Sequence, residues 1–241
     1  MSRLPAEWEC QSGVQLTWPH CDTEWFELEK VLECYVEIAA CILKYEPLMI
    51  VTRDIEECRS DIERISLSKG ISINPDAIRF YESPLNDTWA RDHGGISVIG
   101  DEGEKYLYDF VFNGWGLKFG SDLDNQITKN IFSKGAFNDD VVGVDMRPYV
   151  LEGGSIDSDG CGTMLTTTEC LCSVNRNEYL TKEEIEEIFN GYKKIDVRLD
   201  TNILDLLIEM GIASSKREAR EFVSGNAVSI NGDKINDLEY V

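Results

Sequence analysis

The chain has 241 residues, 42% of them hydrophobic and 28% charged, which is enough for one sizeable core with or without a small appended module. Its formal net charge of −22 and isoelectric point near 4.4 argue against general binding to nucleic acid or anionic membranes, and they favour cationic small molecules as ligands. The eight cysteines include no C-x-x-C pair and there are only two histidines, so we predict reduced thiols, no metal site and no cofactor.

Targeting and membrane signals are also lacking in the sequence. The first ten residues have no apolar core of the kind that a signal peptide needs, and no apolar run reaches the roughly 18 residues of a membrane span. We therefore expect a cytoplasmic protein that makes no contact with a membrane.

The first four fifths of the chain, up to about residue 190, alternate amphipathic helices with short strands, which predicts an α/β fold. Residues 25–45 carry apolar side chains at helical spacing, an apolar strand follows at 48–52, and Asp54 is placed to cap a second helix that Gly70 ends. Further strands are predicted at 78–81, 106–112, 141–145, 149–151 and 163–166, and further helices at 121–133, capped by Ser121, and at 181–190, opened by a capping box of Thr181 and Glu184.

Several residues with reactive side chains are expected to have structural roles. Cys34, Cys41 and Cys58 fall on or beside the apolar faces of the first two helices, and we expect all three to pack in the core. His20 lies in a Trp-Pro-His turn, where we expect its ring to make a structural hydrogen bond.

The segment 86–95 concentrates chemically active side chains in ten residues. Trp89 and Asp92 could together hold a planar cation, because the ring would pack on its face while the carboxylate accepts its N–H groups. The segment ends in a Gly pair, which is typical of a turn where backbone approaches backbone or ligand closely. The alternative interpretation is a turn with a surface salt bridge from Arg91 to Asp87 or Asp92.

Three further motifs accompany this segment. Residues 151–160 again place a carboxylate, Glu152, against a Gly pair, and residues 18–20 and 113–119 supply Trp-Pro-His and Asn-Gly-Trp-Gly-Leu-Lys-Phe. The four motifs in this order resemble the agmatine deiminase and bacterial-type peptidylarginine deiminase family of the pentein superfamily. The resemblance extends from about residue 4 to residue 192.

The resemblance implies a fold and an activity. Residues 1–194 would form an incomplete pentein-type α/β propeller of ββαβ blades, and the family hydrolyses the guanidinium of agmatine or peptidyl-arginine to a ureido group and ammonia, as in putrescine and polyamine biosynthesis. By the family pattern, Asp92 and Glu152 are the carboxylates that bind the substrate guanidinium, and Trp89 lies beside the substrate. The family motif is Arg-Asp-x-Gly-Pro, and this sequence has Gly95 in place of the proline. Because glycine restricts the backbone less than proline does, we expect a looser turn.

The family's catalytic histidine and nucleophilic cysteine lie in later motifs that this sequence does not contain. No histidine follows His93, and neither Cys170 nor Cys172 matches the nucleophile motif. His93 with Cys161 is the one local pair that could substitute. We therefore predict a truncated deiminase that is inactive alone and that self-associates through propeller faces left exposed. A non-catalytic guanidinium or polyamine binder is an alternative.

The last residues, 199–241, change in character. Two short amphipathic helices and a hairpin signal resemble the RNA-binding domain of bacterial tyrosyl-tRNA synthetases. By this resemblance Lys216, Arg217 and Arg220 are candidate RNA contacts, and the chain could act as an RNA-binding adaptor. Residues 196–241 nevertheless contain five basic and nine acidic side chains, a net charge of −4 that weakens binding to phosphates, and a solvated helix face is the alternative.

Overall fold

A computed structural model of the chain describes residues 2–23, 25–181, 184, 188, 202–209, 212–225, 228–230, 233–235 and 237–238. The chain divides into two compact units, Met1–Tyr192 and Lys193–Val241. The larger unit carries every residue of the four motifs.

The first part of the larger unit is a parallel three-stranded sheet with two helices. Strands β1 (Val14–Thr17), β2 (Leu48–Thr52) and β3 (Ile78–Glu82) lie side by side in chain order, and helices α1 (Leu28–Ile42) and α2 (Ile55–Lys69) connect them. A 3-10 turn, Pro75–Ala77, leads into β3. The core between sheet and helices consists of Trp18, Leu32, Val36, Ala39, Leu48, Ile50, Cys58, Ile62, Ile65 and Ile78.

Local capping fixes the ends of α2 as the sequence predicts. The Asp54 carboxylate accepts a hydrogen bond from the backbone N–H of Glu57 at 2.9 Å, and Gly70 ends the helix in the left-handed conformation, with φ of 64°. The prediction of three core cysteines is wrong for two of them. Cys58 is fully buried, whereas Cys34 and Cys41 are exposed, because α1 turns the face of Leu32, Val36 and Ala39 to the core.

The second part of the larger unit contains a mixed sheet. Strand β4 (Ile96–Ile99) pairs antiparallel with β5 (Lys105–Val111), and β5 pairs parallel with β6 (Val141–Val150). The one-turn helices α3 (Ala90–His93) and α4 (Gly114–Leu117) precede and follow this hairpin, and α5 (Ile127–Ser133) connects β5 to β6. A two-stranded ladder of β7 (Asp157–Ser158) and β8 (Met164–Leu165) and helix α6 (Thr168–Cys172) complete the part.

Two predicted elements of this part differ from the structure. The strands predicted at 141–145 and 149–151 are one strand, β6, in which Pro148 is tolerated because β6 is an edge strand of its sheet. The helix predicted at 121–133 begins only at Ile127, after a 3-10 turn at Asp124–Gln126, so Ser121 does not cap it. The side-chain oxygen of Asn86 accepts the N–H groups of Leu123 and Asp124 and so caps the start of this turn in place of Ser121.

The described strands form four separate sheets of two or three strands, and none of these sheets closes on itself. Within the described residues, no helix is both long enough and apolar enough to span a bilayer. The capping box predicted at Thr181 and Glu184 is present, since each residue's side chain accepts the other's backbone N–H, at 3.2 and 2.8 Å. Most of the helix predicted after it lies outside the described residues.

The smaller unit contains two helices and a β-ladder. Helix α7 (Ile203–Glu209) packs with α8 (Lys216–Ser224), which Ser215 caps by accepting the N–H of Glu218. Strands β9 (Ser229–Ile230) and β10 (Asp233–Lys234) pair antiparallel, and the turn signal predicted between them lies outside the described residues. The core is formed by Ile203, Leu204, Leu207, Ala213, Ala219, Val223 and Ile235.

Candidate guanidinium site

The two glycine-pair motifs pack directly on each other, although about 60 residues of chain separate them. A Cβ atom at Gly153 would lie 2.1 Å from the carbonyl oxygen of Arg91, and one at Gly154 would lie 2.3 Å from Oδ1 of Asp92. The backbone N–H of Gly154 donates to the same Asp92 oxygen at 3.1 Å. Any side chain at these glycines would push the two segments apart, so the Gly pair brings Asp92 next to the segment that carries Glu152.

Glu152 is the more buried of the two candidate guanidinium carboxylates, with 2% of its surface exposed. Its two oxygens accept hydrogen bonds from Nε of Arg176 at 3.0 and 3.2 Å, and Nη1 of Arg176 donates to the Ser173 hydroxyl at 2.7 Å. Burial raises the pKa of Glu152, and the hydrogen bond and charge of Arg176 lower it. Asp92 adds a second negative charge that raises this pKa, which is consistent with two carboxylates sharing a small acidic site.

Trp89 precedes Asp92 by one helical turn, and its carbonyl accepts the backbone N–H of Asp92 at 2.9 Å. Its side chain is 41% exposed. Its indole N–H donates to Asp87 at 3.1 Å, which fixes the ring plane. The ring centroids of Trp25 and Trp115 lie 6.0 and 5.6 Å from that of Trp89. A cavity of about 530 Å³ opens beside it, lined by Trp25, Phe26, Glu27, Lys30, Val31, Cys34, Tyr35, Thr88 and Trp89.

The loop 113–119 places Trp115 against Trp89 through a strained backbone. Trp115 and Leu117 have φ of 58° and 64°, in the left-handed region that side chains other than glycine rarely adopt. Asn113 holds the loop, since its Oδ1 accepts the N–H of Gly116 at 3.0 Å and its Nδ2 donates to the carbonyl of Asn175. Such strain persists only where the surroundings fix it, and it is frequent at binding sites.

A buried carboxylate anchors the start of the first motif. Asp124 is 1% exposed and accepts the backbone N–H groups of Asn86, at 2.6 Å, and Asp87, at 3.3 Å. In the reverse direction, the side-chain oxygen of Asn86 accepts the N–H groups of Leu123 and Asp124. Burial raises the pKa of Asp124 to about 6, against the lowering effect of those backbone hydrogen bonds.

The structure does not bring the predicted His93–Cys161 pair together. His93 is buried against Phe112 with Nε2 3.2 Å from the Thr17 hydroxyl, and burial lowers its pKa to about 4. Cys161 is exposed in a turn where its backbone N–H donates to Asp159 at 2.7 Å. A buried neutral imidazole in one part of the unit and an exposed thiol in another cannot act as nucleophile and base together.

Two other expectations are resolved by the contacts. His20 has the structural role that the sequence predicts, because Nδ1 accepts the backbone N–H of Asp22 at 3.1 Å. Arg91 pairs with Glu7 at 3.1 Å and donates to the carbonyl of Ile156 at 3.2 Å, so the alternative salt bridge to Asp87 or Asp92 is not formed. The Asp92 carboxylate therefore contacts the backbone N–H of Gly154 and not the side chain of Arg91.

Comparison with known proteins decides the family. The profile of the Porphyromonas-type peptidyl-arginine deiminase family matches residues 3–199. The chain belongs to this family. An agmatine deiminase homologue of Shewanella baltica is 32% identical over 198 residues, which are 80% of this chain and 50% of that protein.

Solved deiminase structures agree in fold. A C. jejuni agmatine deiminase with substrate bound is 33% identical, with a TM-score of 0.68 over 85% of this chain and 58% of that one. The agmatine deiminase of Enterococcus faecalis is 34% identical, with a TM-score of 0.66 over 79% of this chain and 50% of that one. The chain thus has the α/β fold of pentein deiminases, and it spans about half the length of the curated relatives it matches.

Within this deiminase-family chain, Arg176 is the site residue that the sequence analysis missed. It lies 24 residues beyond Glu152 in a segment with no helical or strand period, where an arginine between two asparagines gives no signal of its own. Among the described residues no group of three or more His, Cys, Asp or Glu side chains could hold a metal ion.

The second match concerns the end of the chain. Residues 184–241 match the tyrosine–tRNA ligase SYY-like C-terminal domain. Two of the three predicted RNA contacts are already paired with acidic residues of this unit: Lys216 Nζ lies 2.6 Å from Asp205, and Arg217 Nε lies 3.7 Å from Glu221. Arg220 is exposed on the same helix.

Proposed function

We propose that the larger unit is the guanidinium-recognising part of an amidine hydrolase of the agmatine deiminase type. One observation carries the proposal: the glycine pair at 153–154 holds Asp92 beside the segment of Glu152, at the edge where Trp89 is exposed. Two carboxylates can accept the in-plane N–H groups of a guanidinium, and an indole face can pack on its π-system.

The family fold supports this role. In the proposal, the sheet of β1–β3 and the sheet of β4–β6, each with its helices, are blades of an incomplete pentein-type propeller, and the site lies between the motifs that join them. The acidic chain, with a net charge of −22, also favours a cationic ligand. Agmatine, which carries a guanidinium and a primary ammonium, fits this charge better than a peptidyl-arginine within a neutral chain.

The full reaction would add water to the guanidinium carbon and release ammonia, leaving a ureido group. In the family a cysteine thiolate attacks this carbon and a histidine transfers protons, and both motifs lie beyond those found here. We therefore propose that this chain binds the guanidinium and does not turn it over alone. In the parent activity, the ureido product would enter polyamine biosynthesis and the ammonia would be released.

Calorimetric titration with agmatine at pH 7.5 and low salt tests the proposal. We expect saturable binding by the wild-type chain, binding weakened about tenfold or more by Asp92→Asn and by Glu152→Gln, and no release of ammonia. Asp139→Asn, which removes an exposed carboxylate, is the matched control and should bind as the wild type does.

Ligand comparison separates recognition of the guanidinium from simple charge attraction. Putrescine carries two ammonium groups and no guanidinium, so it should bind more weakly than agmatine. Equal binding of the two ligands, or agmatine binding that survives both substitutions, would contradict the proposal. Ammonia release that depends on His93 or Cys161 would contradict its second part.

A further inference from the structure

The carboxylate of Glu152 is supported from one side by a single arginine, which is itself largely shielded from solvent. The side chain of Glu152 is 3% exposed and that of Arg176 is 13% exposed. Arg176 uses one N–H group, on Nε, for both Glu152 oxygens, at 3.0 and 3.2 Å. A carboxylate has about four acceptor positions, so this contact leaves positions of Glu152 available to a second donor.

Arg176 is itself held in place by its own segment. Its Nη1 donates to the Ser173 hydroxyl at 2.7 Å, and Nη1 lies 3.2 Å from the position that a Cβ atom at Gly116 would occupy. Asn175 donates from Nδ2 to the carbonyl of Gly116 at 3.4 Å, and its own carbonyl accepts from Asn113. The segment that carries the arginine is therefore fastened to the strained loop that carries Trp115.

Asn177, the residue after the arginine, holds the same segment by hydrogen bonds to its other neighbours. The amide of Asn177 accepts the N–H of Val150 at 2.9 Å and donates to the carbonyls of Val150, at 2.9 Å, and Leu171, at 2.8 Å. Val150 is the last residue of β6, two residues before Glu152. The strand that delivers the carboxylate and the segment that delivers the arginine are thus one hydrogen-bonded assembly.

We propose that Arg176 is a positioning residue for Glu152, which it orients towards a guanidinium ligand through its hydrogen bonds to both carboxylate oxygens. As a cation in direct contact, Arg176 also offsets part of the effect of burial, which raises the pKa of Glu152. The inference rests on the proposed function, in which Glu152 binds that ligand. Three charged groups act on Glu152: Arg176 and Lys118 favour its anionic form, and Asp92 opposes it. Of these three groups, Arg176 is the one that hydrogen-bonds directly to Glu152, so its removal should change the pKa of Glu152 the most.

Titration of the Glu152 carboxyl group tests the proposal directly. Glutamate labelled with 13C at Cδ gives a carboxyl signal for each residue, and Glu152→Gln identifies the signal of Glu152 by its loss. We expect Arg176→Gln to raise the pKa of Glu152, because burial then acts without the arginine, and Arg176→Lys to restore part of the difference. Arg64→Gln, which breaks an exposed arginine pair with Glu29 and Asp61, is the matched control and should leave the signal unchanged.

Agmatine binding gives the second measurement. With Arg176→Gln we expect affinity at pH 7.5 to fall about tenfold. Binding should then weaken further as the pH falls, through a range where the wild type still binds fully. An unchanged Glu152 titration together with an unchanged pH profile would refute the proposal. Tighter binding by Arg176→Gln would also refute it, since the arginine would then occupy the site as an internal competitor.

The two proposals fail in different ways. If the wild-type chain binds no agmatine, the proposed function is refuted, and the titration of Glu152 in wild type and Arg176→Gln still decides whether the arginine controls the carboxylate. Arg176→Lys keeps a cation at the position and serves as the second variant if Arg176→Gln does not fold.

Discussion

Replacement of Asn177 by alanine should destabilise the larger unit more than any surface substitution. The residue is 2% exposed, and its side-chain amide makes three hydrogen bonds: two tie the segment of Arg176 to Val150 of β6, and one ties it to Leu171 of α6. Alanine would leave the N–H and the carbonyl of Val150 without these partners in a buried position. The carbonyl of Leu171 would keep a second donor, the backbone N–H of residue 177 at 3.3 Å.

The size of the effect follows from the two orphaned groups. A buried backbone group that loses its partner costs about 1–3 kcal/mol, and removal of the amide itself returns part of that cost. We expect a loss of about 3 kcal/mol in the free energy of unfolding, a large share of the roughly 5–15 kcal/mol of a typical domain. Asn138, which is exposed, provides the control, and its replacement by alanine should change stability by no more than about 0.5 kcal/mol.

Urea unfolding followed by tryptophan fluorescence measures the difference. A loss below about 1 kcal/mol in Asn177→Ala, with an unchanged denaturant slope, would refute the reasoning, because the two orphaned groups would then have found other partners. The variant Asn177→Asp provides a further test, because the direction in which its stability changes with pH can be predicted. Its carboxylate would face two carbonyl oxygens at neutral pH, so this variant should recover stability as the pH falls and the new carboxyl group becomes a donor.

Three further outcomes are expected. Burial raises the pKa of Asp124 from its ordinary 3.8 to about 6 in the folded state, so its contribution to the free energy of unfolding should fall as the pH rises across that interval and be flat above it. Asp124→Asn, which keeps an acceptor for the N–H of Asn86, should abolish this slope in urea titrations at several pH values. The smaller unit should bind tRNA weakly and only at low salt, because Lys216 and Arg217 pair with acidic neighbours, and submicromolar binding at physiological salt would contradict this. Light scattering combined with thermal melting should show an oligomer or a monomer of low stability, because an incomplete propeller would leave apolar faces uncovered. A compact monomer with a sharp transition at high temperature would contradict this prediction.

The sequence predicts correctly those helices and helix ends that depend only on neighbouring residues. The stop and start signals of α2, at Asp54 and Gly70, lie within the segment itself, and the apolar period of α1 depends only on its own sequence. The helical spacing of apolar residues in α1 does not show which part of its apolar face packs in the core. For this reason Cys34 was predicted to be buried, whereas it is exposed. The neighbouring sheet, which the sequence does not reveal, makes that choice.

Long-range contacts explain the other differences. The turn that precedes α5 is capped by Asn86, about 40 residues earlier in the chain, and the continuity of β6 through Pro148 depends on its position at a sheet edge. In the site, Asp92, Glu152 and Trp89 came from motif resemblance, and their binding roles stay predictions. Arg176 could not be predicted because its importance arises only from its contact with a buried carboxylate in another segment.

The row of indole rings at Trp25, Trp89 and Trp115 gives this chain a built-in optical probe. Neighbouring centroids lie 6.0 and 5.6 Å apart, close enough for the electronic transitions of the rings to couple, and Trp89 is the central member. Of the five tryptophans in the chain, Trp18 is almost fully buried and Trp8 is largely exposed, so they contribute a constant background. A cation that settles on the central ring would disturb both couplings at once, and circular dichroism in the near ultraviolet would then record ligand occupancy without any label.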